Sequence, residues 1–202
     1  MTPSWALETQ LGDFKLILGI DEAGRGALAG PVAVAGVILP PERPELPYRD
    51  SKTLSFDRRV ELAAHVRSYA VKYAIKLVPA SDIDATGILK VVIRASEEIV
   101  QELDPEGVIT DYLKIKTALP LLAVPKADAN SYTVAAASLL AKTARDQYMI
   151  ELHDRHPEYG FAGHKGYGTA EHLQALQQHG ITPEHRKTFK PVSQGSLFDA
   201  FS

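Results

Sequence analysis

Cysteine is absent from the 202 residues, which excludes disulfides and any thiolate-held metal and fits a reducing compartment. No apolar run is long enough to span a bilayer. The opening Met1-Thr-Pro-Ser-Trp-Ala-Leu-Glu lacks the basic-then-apolar layout of a secretory signal. Nor is there an excess of basic charge. The formal net charge of −3 argues against a generic polyanion binder, but it leaves room for a local basic groove or for acids that a metal would neutralise. No internal repeat is visible. These absences lead us to expect a cytoplasmic, non-membrane chain with one sizeable core over residues 1–191, followed by a loosely ordered tail at 192–202.

What is present is an alternation of strand-like and helix-like segments. Leu16–Ile20, Val32–Leu39 and Val71–Val78 are Val- and Ile-rich, bounded by Gly or Pro, and predict strands. A Pro-rich stretch, 40–47, precludes regular structure before a predicted helix at Ser55–Tyr69. That helix should bury Phe56, Val60, Leu62, Ala63 and Val66. A second helix is expected over Ser81–Leu103, with Ile83, Leu89, Ile93 and Ile99 on one side. Short buried strands are expected at Val108–Thr110 and Leu121–Val124. An Ala-rich helix, Asn130–Leu152, should pack closely on a sheet, and Thr169–His179 should form a helix stopped by Gly180. The pattern predicts an α/β fold, a mixed sheet with helices on both faces.

The chemistry concentrates at strand ends. The run Ile17-Leu-Gly-Ile-Asp21-Glu22-Ala-Gly24-Arg25-Gly26 ends an apolar strand in two carboxylates and breaks into a glycine-flanked arginine. Successive strand residues point to opposite faces, so the two acids share a site only where the strand frays or kinks, an irregularity Gly24 and Gly26 supply. Two hard anionic ligands beside backbone N–H groups and a guanidinium suit a divalent metal next to a phosphate. The same residues also suit a strand end with a solvated glycine hairpin. Asp111 closes the run Val108-Ile-Thr, and Asp128 follows another short strand. Open α/β sheets place ligand sites outside the carboxyl ends of strands. Asp128 equally suits an acid that favours a helix dipole. Gly24-Arg-Gly26-Ala-Leu-Ala29 formally meets a dinucleotide-binding fingerprint, but Pro31 and a strand follow where that motif must open a helix.

Taken in order, Gly19-Ile-Asp21-Glu22-Ala-Gly24-Arg25-Gly26, Asp50-Ser51-Lys52, Asp111, Lys126-Ala-Asp128, Ala135-Ala-Ala-Ser138, Ala141-Lys142, Arg145-Asp146, Lys165-Gly-Tyr167-Gly-Thr169 and His185-Arg186 resemble bacterial ribonuclease HII, from about Leu18 to Pro191. The resemblance implies a ribonuclease H-like mixed sheet flanked by helices, with a helical C-terminal portion inside one catalytic domain. It implies metal-dependent hydrolysis of the RNA strand of RNA–DNA hybrids and incision 5′ of single ribonucleotides in duplex DNA, leaving 3′-hydroxyl and 5′-phosphate ends. Asp21, Glu22, Asp111 and Asp128 match the family's acidic metal-site positions, for two Mg2+ or Mn2+ ions. Gly24, Arg25 and Gly26 match its junction loop, and Tyr167 its junction-sensing tyrosine. Ala127 departs from the family's usual glycine. The related type 3 enzymes usually carry Lys at the Arg25 position and a long N-terminal extension, so type 2 is the closer match. The family's usual state implies a monomer. A hybrid-binding protein without catalysis would tolerate loss of one acid, and all four are present.

The 2′-hydroxyl is the one group that tells RNA from DNA at a given nucleotide. Gly24 and Gly26 allow close backbone approach to a ribose, Arg25 can hold the adjacent phosphate, and Tyr167 offers a ring and a hydroxyl. Tyr167 also reads as a half-buried residue of a Gly-rich turn. Ser51 and Lys52 are assigned to the DNA strand's phosphates. Lys142, Arg145, Lys165, Arg186 and Lys187 are candidates for a duplex groove or simply solvated cations. His153, His156, His164 and His185 lack the spacing of a zinc set. In the tail, Gln194-Gly-Ser-Leu197-Phe198 resembles the short peptides with which repair proteins dock into a sliding clamp.

Overall fold

The computed structural model describes residues 3–48 and 54–194. Ser51 and Lys52 lie outside the described residues, as does the clamp-like peptide beyond Gln194. Five strands, β1 (Ile17–Ala23), β2 (Val32–Ile38), β3 (Lys72–Val78), β4 (Gly107–Asp111) and β5 (Leu121–Val124), form one sheet in the order β3-β2-β1-β4-β5. The β1–β2 and β2–β3 pairs are antiparallel; β1–β4 and β4–β5 are parallel. The α/β expectation of a mixed sheet therefore holds.

Both faces are covered because two glycines let helices close in. A Cβ on Gly19 would lie 2.3 Å from the backbone carbon of Thr133, in α5 (Tyr132–Arg155). A Cβ on Gly36 would lie 2.4 Å from Ile99, in α4 (Ile88–Leu103), on the opposite face. The α5 face buries Ala33, Ala35 and Val37 against Ala135, Ala136, Leu139 and Leu140, and against Leu62 and Val66 of α2 (Phe56–Tyr69). The α4 face buries Leu18, Ile20, Val32 and Val34 against Val91, Val92, Ala95 and Ile99. Small side chains on α5 keep that helix tight on the sheet and fix the position of its cleft-facing residues. Its start is doubly tied. Ser131 caps it by accepting from the Val134 N–H at 3.1 Å. The buried Glu8 of α1 (Ala6–Leu11) accepts from the Ser131 hydroxyl and from the Thr133 N–H and hydroxyl.

Two expectations change. The helix predicted over Ser81–Leu103 is broken at Gly87, φ +90°, into α3 (Ala80–Thr86) and α4. A glycine takes this conformation without the Cβ penalty. Ile83, Ile93 and Ile99 still pack on the core, but Leu89, expected inside and two residues past the break, is exposed. In α2, Phe56 and Val60 are likewise exposed, and Arg59 is buried in their stead, reaching Asp146.

The C-terminal portion is helical as expected, with α6 (Phe161–His164) and α7 (Ala170–His179) built on a separate apolar cluster of Leu28, Met149, Leu152, Tyr159, Phe161 and Leu176. Beyond α7 the chain returns along α3, where Asp84 accepts from the N–H groups of Lys187 and Thr188 and from the Thr188 hydroxyl. Among the described residues no helix is long and apolar enough to cross a membrane.

Candidate active site

The parallel register of β1 and β4 ends at Ile20–Thr110, so Asp21 and Asp111 are the next residues on two diverging strands. Strand β1 stays paired to β2 through Glu22 and Ala23. The sequence places the irregularity at the glycines; in the structure, the parting of β1 from β4 opens the site while β1 itself runs on regularly. Asp21, Glu22, Asp111, Gly24, Arg25, Gly26 and Tyr167 line one cleft of about 350 Å³, together with Ser138 and Lys142 of α5. Asp128 is not on its wall. It sits buried on a 3-10 turn, Ala127–Ala129, whose first N–H donates to Asp111 at 3.3 Å.

The electrostatics are poised for a cation. Burial pushes the Asp21 carboxyl well above the usual range, and the Glu22 and Asp128 charges add to the rise, against a hydrogen bond from Ser138. Glu22 is held 3.0 Å from the Arg25 guanidinium. Lys142 lies 2.6 Å from Asp146, and burial draws its ammonium below the usual lysine range in spite of that carboxylate. Among the described residues no three His, Asp or Glu side chains stand close enough together to grip an ion as they are. The donor set still fits a hard divalent ion: every candidate ligand is a carboxylate oxygen, and the buried Asp21 carries an unfavourable charge that such an ion would neutralise.

The loop after β1 is held from behind. Arg145 and Arg186, candidates for the duplex groove, are wholly buried instead. Arg145 donates to the carbonyls of Pro31 and Ala29, and its guanidinium lies 5.2 Å from the Tyr167 ring centroid. Arg186 donates to the carbonyls of Gly30 and Arg25. The Leu28 N–H reaches the Gly166 carbonyl, and Ala29 bridges to His185. These bonds fasten the Gly24-Arg25-Gly26 loop and Tyr167 into one unit. Nothing in the sequence separates these two arginines from surface ones, because their acceptors are carbonyls more than a hundred residues away. Of the other cations proposed for a groove, Lys165 is half-buried and Lys187 is exposed.

The ribonuclease HII family model matches residues 18–192. A ribonuclease HII of Thermus thermophilus is 51% identical over 184 residues, 90% of each chain. One from Dehalococcoides mccartyi is 41% identical, covering 98% of this chain and 96% of its own. The chain belongs to the ribonuclease HII family. A solved complex of ribonuclease HII with PCNA from Archaeoglobus fulgidus superposes with a TM-score of 0.75 at 29% identity, covering 87% of this chain and 95% of that one. Membership makes the protein a type 2 ribonuclease H, an endoribonuclease acting on RNA–DNA hybrids.

Behind Tyr167 lies a chain of hydrogen-bonded histidines. The Thr182 N–H donates to His185 Nδ1, which leaves His185 Nε2–H to donate to His172 Nε2 at 3.1 Å, and His172 Nδ1–H to donate to the Tyr167 carbonyl at 3.0 Å. The hydrogen-bond pattern thus assigns one tautomer to each ring. His164, stacked on His172, accepts from the Gly166 N–H and donates to the Tyr159 carbonyl. These nitrogens are occupied by structure, which removes His164 and His185 from any zinc set. Burial holds His172 and His185 neutral, each lowered to about 4. Their folded values lie below the unfolded value of about 6.5, so the unfolded chain binds more protons between the two. Stability from this pair is therefore full above pH 6.5 and drains away as pH falls towards 4, by about 1.4 kcal/mol per residue per pH unit. Thermal unfolding between pH 7 and 4 should show the decline, and His172→Gln should remove about half of it.

Proposed function

We propose that this chain incises duplex DNA 5′ of a single embedded ribonucleotide as well as cutting the RNA strand of hybrids, and that it does so with Mg2+ or Mn2+. The observation that carries this reading is the shared cleft: three acids, the glycine–arginine–glycine loop and Tyr167 face one space. Asp21, Glu22, Asp111 and Asp128 would hold the ions, which when bound supply a neutralised phosphate and a water made nucleophilic. The remaining tasks fall to other groups. Arg25 is half-exposed and can exchange Glu22 for a substrate phosphate. Lys142 presents a second cation to the cleft. Tyr167, fixed by Arg145 and by the histidine chain, offers its ring to the sugar and its hydroxyl to the 2′-oxygen. Water adds to phosphorus, the bond to the 3′-oxygen breaks, and that oxygen leaves with a proton. The products are a 3′-hydroxyl and a 5′-phosphate.

The test is cleavage of duplex DNA carrying one ribonucleotide, with Mg2+ and with Mn2+, and mapping of the ends. Tyr167→Phe should lower kcat/KM at the single ribonucleotide by about 10-fold, the worth of one specific hydrogen bond. An unchanged kcat/KM would remove the hydroxyl from recognition. Residues 1–191 form the catalytic unit in this reading, working as a cytoplasmic monomer. A sliding clamp is the proposed partner through Gln194–Phe198, in keeping with the Archaeoglobus complex. Deleting residues 192–202 should abolish capture by the clamp in a pull-down and leave cleavage intact.

A further inference from the structure

Strand β4 ends in a kink that presents an aromatic ring beside the cleft. Tyr112 follows Asp111, has φ +58°, and is 75% exposed. The kink is built rather than loose. The Tyr112 N–H donates to the carbonyls of Val124 and Thr110, the Thr110 hydroxyl donates to the Leu113 carbonyl at 2.6 Å, and Leu113 is buried in the core. Left-handed backbone favours glycine or asparagine and is unfavourable for a bulky side chain. A tyrosine kept there with most of its surface exposed costs stability and gains little burial in return. Such outliers concentrate where a site needs them.

Tyr112 lines a second groove of about 700 Å³, whose walls include Leu89 and Ile93 of α4 and the exposed Lys114. Arg25 and Asp111 line both this groove and the catalytic cleft, so the two are continuous. We propose that the groove receives the nucleotides of the substrate on one side of the cut, with a base or sugar face stacked on Tyr112 and the backbone phosphate near Lys114. An aromatic platform beside a cation is how sequence-independent strand binding is built, because every base has a π-face. The groove's half-apolar wall suits bases and sugars, and its cation suits phosphate. Tyr112 is thus a positioning residue for substrate, acting beyond the four acids and the junction loop. The assignment rests on the reading of the cleft as the place where nucleic acid is cut.

Steady-state kinetics on a hybrid substrate decide it, with Y112G and Y112F beside the wild type. Glycine relaxes the backbone, so Y112G should unfold at the same temperature as wild type or higher. Its KM should rise about 10-fold, the effect of removing one stacking platform, while kcat stays within about threefold and Y112F stays close to wild type. Shortening the duplex on one side of the cut, and on that side only, should erase the difference between Y112G and wild type. An unchanged KM in Y112G, an equal loss in Y112F, a lowered melting temperature in Y112G, or a penalty indifferent to shortening on either side overturns the inference. A wild type that cuts no hybrid overturns the reading of the cleft as well.

Discussion

Asp21→Asn should lose cleavage and gain stability. The carboxyl is buried on β1 just past its pairing with β4, repelled by Glu22 and Asp128, and held well above its usual pKa chiefly by burial. Ionising it in the folded protein is therefore unfavourable, and a neutral isostere that can still accept from Ser138 relieves the penalty. Relief of that penalty should raise Tm measurably, because one kcal/mol is worth about 2–4 °C in a chain of this size. The same substitution removes a ligand from the proposed ion site, a loss of about 4 kcal/mol or more in transition-state stabilisation, so kcat should fall about 10^3-fold. Hybrid binding, proposed above to rest on Arg25, Lys142 and the loop, should remain. Calorimetry without divalent ions, followed by titration with Mg2+, separates the two effects. Wild type should start lower and gain stability as Mg2+ is added, and Asp21→Asn should start higher and respond weakly. A variant that keeps wild-type turnover, or one that melts lower without metal, would sink the assignment of Asp21. This is the usual opposition between stability and function, placed on one buried carboxylate.

How much of this is legible in the sequence depends on the range of the contact that decides each residue. Asp21 and Asp111 stand out because each closes a Val/Ile-rich run, and strand ends are where such sheets carry their chemistry. The Ala-rich stretch predicts a helix close-packed on the sheet, and Gly19 against the Thr133 backbone is the other half of that contact. The failures are cases where a local pattern is overridden from a distance. Leu89 has the right spacing for a buried face until Gly87 breaks the helix just before it; Ile83 and Ile99 of the same predicted face stay buried, while Leu89 is left outside. Arg145 and Arg186 look like surface cations, and only the carbonyls of the Arg25–Pro31 loop, brought across the fold, give them buried partners. Ser138 sits within an alanine run, with no local sign that its hydroxyl meets Asp21. Tyr112 carries no composition signal at all, because its meaning lies in a φ angle.

The two glycines of the Gly24-Arg25-Gly26 loop, alike in sequence, should respond to mutation in different ways. Gly24 has φ +94°, and a Cβ there would lie 1.9 Å from Arg145 Nε and 2.4 Å from its Cδ. That arginine is buried and engaged with Pro31, Ala29 and the Tyr167 ring, so it cannot swing away without leaving a buried charge unpartnered. Gly24→Ala combines backbone strain with overpacking and should cost about 3–5 kcal/mol, lowering Tm by roughly 10 °C and cleavage of every substrate with it. Gly26 has nothing within 4 Å of its Cβ position, and its φ lies outside the left-handed range. Gly26→Ala should melt within about 2 °C of wild type, since a surface change of this kind is worth at most about 0.5 kcal/mol. If the backbone at Gly26 is what approaches the ribose, the added methyl still obstructs substrate, and KM should rise about 10-fold on the single-ribonucleotide duplex at an unchanged Tm. Melting curves and kinetics on the two variants test the division directly. A stable Gly24→Ala would break the account of Arg145 as the loop's anchor, and a fully active Gly26→Ala would take the close approach away from Gly26. The glycine that the fold needs and the glycine that the substrate needs are then two different residues, separated by the arginine between them.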